Sequence, residues 1–103
     1  MRVSIEEFGF RSDFFEYVEF TNSSWKEYKF CQKQDAKRLN KINKLIKDIA
    51  INGIDKGLGR PEHLKFDLRD FWSREISKKD RLIYGIKDKV LFILKCDKHY
   101  YDK

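Results

Sequence analysis

The sequence predicts an α+β domain in which an N-terminal helical hairpin packs on one face of a small antiparallel sheet. Two observations lead to this fold class. Apolar residues recur at steps of three and four between Leu39 and Ile49, which is the period of an amphipathic helix. After Pro61, short apolar or alternating segments follow one another and are separated by turn residues, as in a run of antiparallel strands. Helices and strands that are segregated along the chain are typical of α+β domains.

Two helices are predicted in the first half of the chain. Ser24 and Glu27 have the spacing of a capping box, so the first helix is expected to run from Trp25 to about Gln32. Asp35 is placed to cap the second helix, and Asn52-Gly53 is placed to end it. The second helix has an apolar stripe (Leu39, Ile42, Leu45, Ile46, Ile49) and an opposite basic face (Lys37, Arg38, Lys41, Lys44, Lys47).

Short strands are expected on both sides of this hairpin. One strand is expected from about Phe15 to Phe20, before the helices. A loop with three glycines and the only proline covers residues 53–61. The dipeptide Asp88-Lys89 predicts a tight hairpin between the last two strands. The strands after the loop are predicted at about Leu64–Phe66, Phe71–Ile76, Arg81–Lys87 and Val90–Cys96.

The composition indicates one domain over residues 1–103, large enough for a single modest core. The sequence has no signal-peptide pattern and no apolar run near the roughly 20 residues that span a bilayer, so we expect a soluble protein without membrane contact. Cys31 and Cys96 are far apart and lack a CxxC partner. They are therefore predicted to be buried thiols rather than zinc ligands or a disulfide.

Charge is distributed unevenly along the chain. Residues 1–22 carry two basic and five acidic side chains, whereas the rest of the chain carries 21 basic and 12 acidic side chains. Such a basic excess is typical of a protein that binds a polyphosphate or an acidic protein. A basic surface that is only solvated is the alternative that charge alone leaves open.

The second half of the chain carries the groups that can cleave RNA without a metal. Such cleavage needs a base for the 2′-hydroxyl, an acid for the departing 5′-oxygen and cations near the phosphate. Glu62 is the candidate base and His99 the candidate acid. Taken singly, each is more readily explained as an exposed turn or tail residue. The candidate contacts to phosphate or bases are Lys65, Arg74, Arg81 and Tyr100.

The order of these residues resembles the YoeB/Txe group within the RelE superfamily of bacterial toxins. The resemblance covers about residues 23–100 and includes Trp25 and the helical segment 41–48. Its main segments are Gly59–Lys65, Phe71–Arg74, Arg81–Tyr84, and Cys96 with His99-Tyr100.

The resemblance implies the RelE-like microbial RNase fold and a ribosome-dependent endoribonuclease, an mRNA interferase that cuts mRNA in the ribosomal A site. It implies Glu62 as general base, His99 as general acid and Arg81 as transition-state cation, with no metal and no cofactor. The implied partners are a YefM/Phd-like cognate antitoxin, the ribosome and mRNA, with a homodimer also compatible with the family. The implied location is the bacterial cytoplasm. Supporting contacts to phosphate or bases are assigned to Lys65, Arg74 and Tyr100.

This sequence departs from the family pattern in three places. Glu75 stands where the family usually has a second basic residue, and Tyr101-Asp102-Lys103 continue past the usual end. Residues 1–14 form an acidic and aromatic extension before the family-like region at about 15–100. One hypothesis is that this extension covers part of the RNA-binding surface or the antitoxin groove. The alternatives are an upstream start codon or a simple extension of the first strand.

Two other functions remain open on the same scaffold. One is a non-catalytic toxin that binds DNA gyrase, as ParE toxins do, and the other is an inactive RNA-binding module. The joint presence of Glu62, Arg81 and His99 favours the nuclease, whereas Glu75 favours the inactive module.

Overall fold

The protein is a six-stranded sheet with two helices on one face. The computed structural model describes residues 1–97. Short 3-10 helices lie at Ile5–Phe8 and Phe66–Leu68. The predicted α+β class and the helical hairpin are confirmed. The strands are β1 (Arg2–Ser4), β2 (Tyr17–Phe20), β3 (Glu62–His63), β4 (Trp72–Glu75), β5 (Arg81–Lys87) and β6 (Val90–Lys95), and the helices are α1 (Asn22–Gln34) and α2 (Ala36–Asn52).

The sheet is mixed rather than purely antiparallel. Its strand order is β1-β2-β6-β5-β4-β3. The pair β2–β6 is parallel and the other four pairs are antiparallel, so the predicted antiparallel sheet is wrong at this pair. Local sequence patterns predict where strands form. They do not determine that β2 joins the last strand of the chain, with two helices and three other strands between them in sequence.

Both helices begin at a capped residue. Helix α1 starts earlier than predicted, because Thr21 is its cap and accepts a hydrogen bond from the Ser24 amide at 3.0 Å. The Ser24 hydroxyl is buried and instead donates to the Ile93 carbonyl of β6 at 2.7 Å. Asp35 caps α2 as predicted, accepting from the Arg38 amide at 3.0 Å. The capping-box interpretation of Ser24 is therefore wrong, and that of Asp35 is confirmed.

The apolar stripe of α2 packs against the sheet as predicted. Four of its five residues are fully buried, and Leu39 is half-buried. Cys31 and Cys96 are free thiols within the same core, and burial raises the pKa of Cys96. Within residues 1–97, no helix combines the length and the apolar character needed to cross a bilayer. The sheet side of the core is formed by Val18, Phe20, Leu82, Tyr84, Leu91 and Ile93.

The turns explain where the later strands begin and end. Asp88 and Lys89 have φ values of 53° and 65°, the left-handed pair that a two-residue hairpin requires, so this predicted hairpin is confirmed. Strand β3 lies at Glu62–His63 rather than at 64–66. Phe66 has a φ of 57°, which is incompatible with an extended strand, and it begins a 3-10 helix instead.

The N-terminal segment is an added edge of the sheet and part of the core. Strand β1 pairs with β2, and the Met1 ammonium donates to a carbonyl at the end of β2 at 3.0 Å. Ile5 is buried in the core, and the Ser12 hydroxyl donates to the Ala50 carbonyl of α2 at 2.7 Å. The strand order puts β1 and β3 at opposite edges of the sheet. The extension therefore does not cover the surface around Glu62.

Replacing Ile5, which is 4% exposed, by alanine should lower the free energy of unfolding by about 2–5 kcal/mol, because a buried aliphatic side chain is lost and a cavity remains. Urea denaturation followed by circular dichroism measures this change. Ile51→Ala is the matched control, since Ile51 is 62% exposed, and it should change the free energy by less than about 0.5 kcal/mol. Equal small effects would contradict a core role for the segment.

Candidate active site

The register of the sheet places Glu62 and Arg81 on one face. Glu62 is opposite Ser73 on β4, and Ser73 is opposite Ile83 on β5. Arg81 lies two residues before Ile83, and alternate residues of a strand point to the same side. Tyr84 points to the other side, where it packs in the core beneath the helices. The candidate base and the candidate cation therefore share the face away from the helices, with β4 between them.

Glu62 and Lys65 line the same groove. Both residues are exposed. The groove has a volume of about 460 Å³ and is formed by the continuous segment Glu62–Leu68. The arrangement brings a carboxylate and an ammonium group, two of the predicted site residues, to one open space.

Arg81 is held in place by the turn between β4 and β5. Its side chain is 16% exposed, and its Nη2 lies 3.9 Å from the Glu75 carboxylate. Its Nη1 donates to three turn carbonyls, those of Ser77 at 2.6 Å, Asp80 at 3.0 Å and Lys78 at 3.3 Å. These carbonyls fix one end of the guanidinium, while the other end faces Glu75.

Glu75 therefore puts a negative charge directly beside the candidate cation. Glu75 and Arg81 are directly opposite each other on β4 and β5, and the Glu75 side chain is 44% exposed. An ion pair this long and this accessible to water contributes about 0–1 kcal/mol. A phosphate that binds the guanidinium with two oxygens makes a stronger contact. Glu75 is thus a weak competitor for any anion that approaches the Arg81 guanidinium.

Arg74 does not join this site, because it lies on the opposite face and is fully buried. Its guanidinium has five N–H groups, and the protein supplies an acceptor for five hydrogen bonds. The expected contact from Arg74 to phosphate does not fit this position, since no donor remains for a ligand. The acceptors are the Tyr84 hydroxyl at 2.8 Å, the Asp48 carboxylate, and the carbonyls of Gly53, Lys56 and Leu58 at 2.6 to 3.0 Å.

Tyr84 completes the network around Arg74. Its hydroxyl accepts from Arg74 Nε and donates to the Ile54 carbonyl. Burial raises the pKa of Tyr84, and the hydrogen bond from Arg74 acts in the opposite direction but is the smaller effect. The phenol therefore keeps its proton at neutral pH and remains a donor. Arg74 and Tyr84 together tie residues 53–58 to the sheet and to α2.

The tied loop leads directly to Glu62. At its end, the Gly59 carbonyl accepts from the Glu75 amide at 2.7 Å. A Cβ at Gly59 would lie 3.0 to 3.2 Å from Leu45, Arg74 and Glu75, so the close approach of loop and sheet requires glycine there. The chain enters β3 only three residues later, at Glu62. Arg74 thus influences the candidate base through the loop rather than by contact with substrate.

His63 holds the other side of the groove segment. Its ring stacks on Trp72, with ring centroids 4.9 Å apart and planes 14° apart. Its Nε2 lies 2.6 Å from the Arg69 carbonyl. No role was predicted for His63 from the sequence. Trp72 is half-buried and packs against the core. Strand alternation could have indicated this position of His63, because it directs the residue after Glu62 to the opposite face of the sheet.

The end of β6 is fixed beside Arg81. The Arg81 amide donates to the Asp97 carbonyl at 2.7 Å. Glu27 of α1 accepts from the Cys96 amide at 2.8 Å and from Lys95 Nζ at 3.0 Å. Burial alone lowers the pKa of Lys95, but its hydrogen bonds to Asp97 and Glu27 outweigh this and raise it. Glu27, expected to cap α1, instead positions the exit of β6.

His99 and Tyr100 lie outside the described residues, two and three positions after Asp97 in the sequence. Of the six predicted site residues, the structure brings Glu62 and Lys65 to one groove and puts Arg81 on the same face as Glu62. It separates Arg74 from them. In the part of the chain that the structure describes, no three His, Cys, Asp or Glu residues are grouped so that they could bind a metal.

Comparison with known proteins shows the class of this protein. A family model described as "YoeB-like toxin of bacterial type II toxin-antitoxin system" matches residues 20–100. The protein named Toxin YoeB from Synechocystis sp. is 46% identical over 83 residues, which cover 81% of this chain and 95% of the relative. Strand β1 and the 3-10 helix that follows it lie before the match to the family model.

Solved structures agree with these matches. The YoeB–YefM complex from Staphylococcus aureus has a TM-score of 0.78 at 37% identity, and the YoeB dimer from the same organism has a TM-score of 0.76 at 38% identity. Each alignment covers 81% of this chain and 95% of the solved chain. The fold and the matches define a toxin of a bacterial type II toxin–antitoxin system. Within that class, the chain belongs to the YoeB-like toxin family.

Arg74→Met should lower the free energy of unfolding by about 3–5 kcal/mol, because it leaves the largely buried Asp48 carboxylate and three loop carbonyls without their donor. Urea denaturation measures the change. Arg11→Met is the control, since the Arg11 side chain is 87% exposed, and it should leave stability nearly unchanged. An Arg74→Met protein as stable as the control would show that the network does not stabilise the fold.

Proposed function

We propose that this toxin is a ribosome-dependent endoribonuclease, an mRNA interferase that cleaves mRNA in the ribosomal A site without a metal or a cofactor. The observation that carries the proposal is the placement of Glu62 and Arg81 on one face of the sheet, with Lys65 in the groove beside Glu62. A base and two cations in this part of the molecule are the groups that phosphodiester cleavage through a 2′-hydroxyl requires.

Each group has a definite part in the proposed reaction. Glu62 takes the proton of the 2′-hydroxyl, whose oxygen then attacks the adjacent phosphorus. The bond from phosphorus to the 5′-oxygen breaks, and His99 gives its proton to that leaving oxygen. The products are a 2′,3′-cyclic phosphate and a free 5′-hydroxyl. Arg81 and Lys65 stabilise the negative charge on the phosphate, and Tyr100 contacts the phosphate or a base.

Arg81 suits the role of transition-state cation because the turn carbonyls already hold its guanidinium in one orientation. A cation that is positioned before the substrate arrives needs little reorganisation when charge develops on the phosphate. Glu75 opposes this function, since it faces the same guanidinium at 3.9 Å. Phosphate must displace that contact, so Glu75 is expected to slow this toxin without abolishing cleavage.

The rest of the molecule supports binding to RNA on the ribosome. The basic face of α2 carries Lys37, Lys41 and Lys44, which line a second groove of about 510 Å³ together with the β4–β5 turn. Lysines at the surface attract phosphate and release counterions when they bind it. Binding to the ribosome is therefore expected to weaken as salt concentration rises.

We further propose a YefM-like antitoxin as the neutralising partner in the bacterial cytoplasm. The proposal follows from the Staphylococcus aureus relative, which was solved as a complex with YefM. That relative was also solved as a dimer, which supports a homodimer for this chain. A neighbouring gene for a small acidic protein would support the antitoxin.

Mapping mRNA cleavage on translating ribosomes tests the proposed reaction. The wild type should cut within the coding region, and Glu62→Gln and His99→Gln should each reduce the rate by about 10²-fold or more, because each removes a proton-transfer group. Glu7→Gln, an exposed carboxylate on the N-terminal segment, should cut at the wild-type rate.

Two results would count against the proposal in different ways. Intact mRNA with the wild type would refute the nuclease and favour an inactive RNA-binding module or a gyrase-directed toxin. Full cleavage by Glu62→Gln and His99→Gln would keep the nuclease but refute the roles assigned to these residues.

A further inference from the structure

Phe66 is an exposed aromatic residue beside the candidate base. It is 83% exposed, more than any other large apolar side chain in residues 1–97. It lines the same groove as Glu62 and Lys65. An aromatic ring so fully open to water adds nothing to the core.

The backbone at Phe66 is strained and locally fixed. Its φ of 57° is in the left-handed region, which a bulky residue rarely adopts. The Phe66 carbonyl accepts from the Arg69 amide at 3.1 Å and from Arg69 Nη1 at 3.2 Å. The Leu64 amide donates to the Phe71 carbonyl at 3.1 Å and closes the loop. Strained residues that their surroundings hold in place are concentrated at functional sites.

Charged residues flank Phe66 in the sequence, and Leu64 and Leu68 line the same groove. Lys65, Asp67 and Arg69 are all exposed. The centre of a protein–protein interface is depleted in charged residues, and an isolated ring among charges does not resemble one. An aromatic ring next to a cation is instead the combination that binds single-stranded nucleic acid, where bases stack on the ring and the cation contacts the backbone.

We propose that Phe66 is a stacking platform for one nucleobase of the mRNA next to the cleaved bond. This inference rests on the proposed function, since it assigns the base that accompanies the phosphate at Glu62 and Lys65. Purines have larger rings than pyrimidines and stack more strongly. Phe66 therefore gives the toxin a preference for a purine at that position.

Loss of the ring should weaken binding and cleavage together. Removing one base–aromatic stack costs about 1–3 kcal/mol, which corresponds to roughly 5- to 150-fold in affinity or in kcat/KM. Phe66→Ala and Phe66→Leu should both show this loss, because leucine keeps the apolar volume without a flat ring. Phe66→Trp should retain wild-type activity.

The test compares these variants on ribosomes programmed with a purine or a pyrimidine at the stacked position. The purine-to-pyrimidine ratio of kcat/KM should fall toward one in Phe66→Ala and Phe66→Leu, a change that a purely structural role would not produce. Phe30→Ala is the matched control, since Phe30 is 53% exposed on α1, and it should leave the ratio unchanged.

A glycine at the same position separates stacking from stability. Phe66→Gly removes the ring but accepts the left-handed backbone without strain. It should raise the melting temperature while it lowers cleavage as much as Phe66→Ala does. A variant that is less active because it is less stable would show the opposite change in melting temperature.

Binding of a short single-stranded RNA, followed by fluorescence anisotropy in the Glu62→Gln background, decides the inference even if the wild type does not cleave. Phe66→Ala should raise Kd by roughly 5- to 150-fold for a purine-containing RNA. Equal affinities with and without the ring would overturn the inference. So would full activity of Phe66→Leu, or a Phe66→Ala protein that loses affinity only for its antitoxin.

Discussion

The buried guanidinium of Arg74 is the interaction on which the geometry of the candidate site depends. A charge inside a protein is costly unless every donor has a partner. Here the partners come from three separate parts of the chain, namely Asp48 on α2, the carbonyls of the 53–58 loop, and Tyr84 on β5. The loop wraps around the guanidinium because its carbonyls satisfy those donors, and the path of the loop then sets where β3 begins.

Strand alternation separates structural from chemical residues at the edge of the sheet. On β4, Arg74 points into the protein while Ser73 and Glu75 point to the other face. On β3, Glu62 lies on the same face as Ser73, and its neighbour His63 stacks on Trp72. Residues next to one another in sequence therefore lie on opposite faces of the sheet and have different roles. One set holds the strands and loops in position, whereas Glu62 is exposed on the other face.

Local patterns were sufficient to predict α2 and the last hairpin. The apolar stripe, the Asp35 cap and Gly53 define α2 within the sequence itself, and Asp88-Lys89 defines the turn. The prediction placed β3 too late in the sequence. The apolar residues of segment 64–66 suggested a strand there, but the left-handed backbone of Phe66 prevents strand pairing. The parallel pair β2–β6 and the Thr21 cap depend on contacts with distant residues, which a local pattern does not contain.

Only part of the candidate site was predicted, because a local pattern does not contain the contacts that a residue makes with distant parts of the chain. Glu62, Lys65 and Arg81 could be selected by residue type and order, and the structure puts Glu62 and Lys65 in one groove and Arg81 on the same face as Glu62. Arg74 was assigned to phosphate because it is an arginine near the others. Its place in Trp72-Ser73-Arg74-Glu75 was the contrary signal, since strand alternation puts it on the same face as Trp72, which packs against the core.

Amide hydrogen exchange at Leu58 tests most directly whether the Arg74 network holds this loop. The Leu58 amide donates to Asp48 at 2.9 Å, and Asp48 in turn pairs with Arg74. We expect strong protection of this amide in the wild type. Tyr84→Phe, which removes an acceptor of Arg74 and the donor to Ile54, should reduce that protection while Val18 on β2 keeps its own. Free exchange at Leu58 in the wild type, or unchanged protection in Tyr84→Phe, would contradict the account.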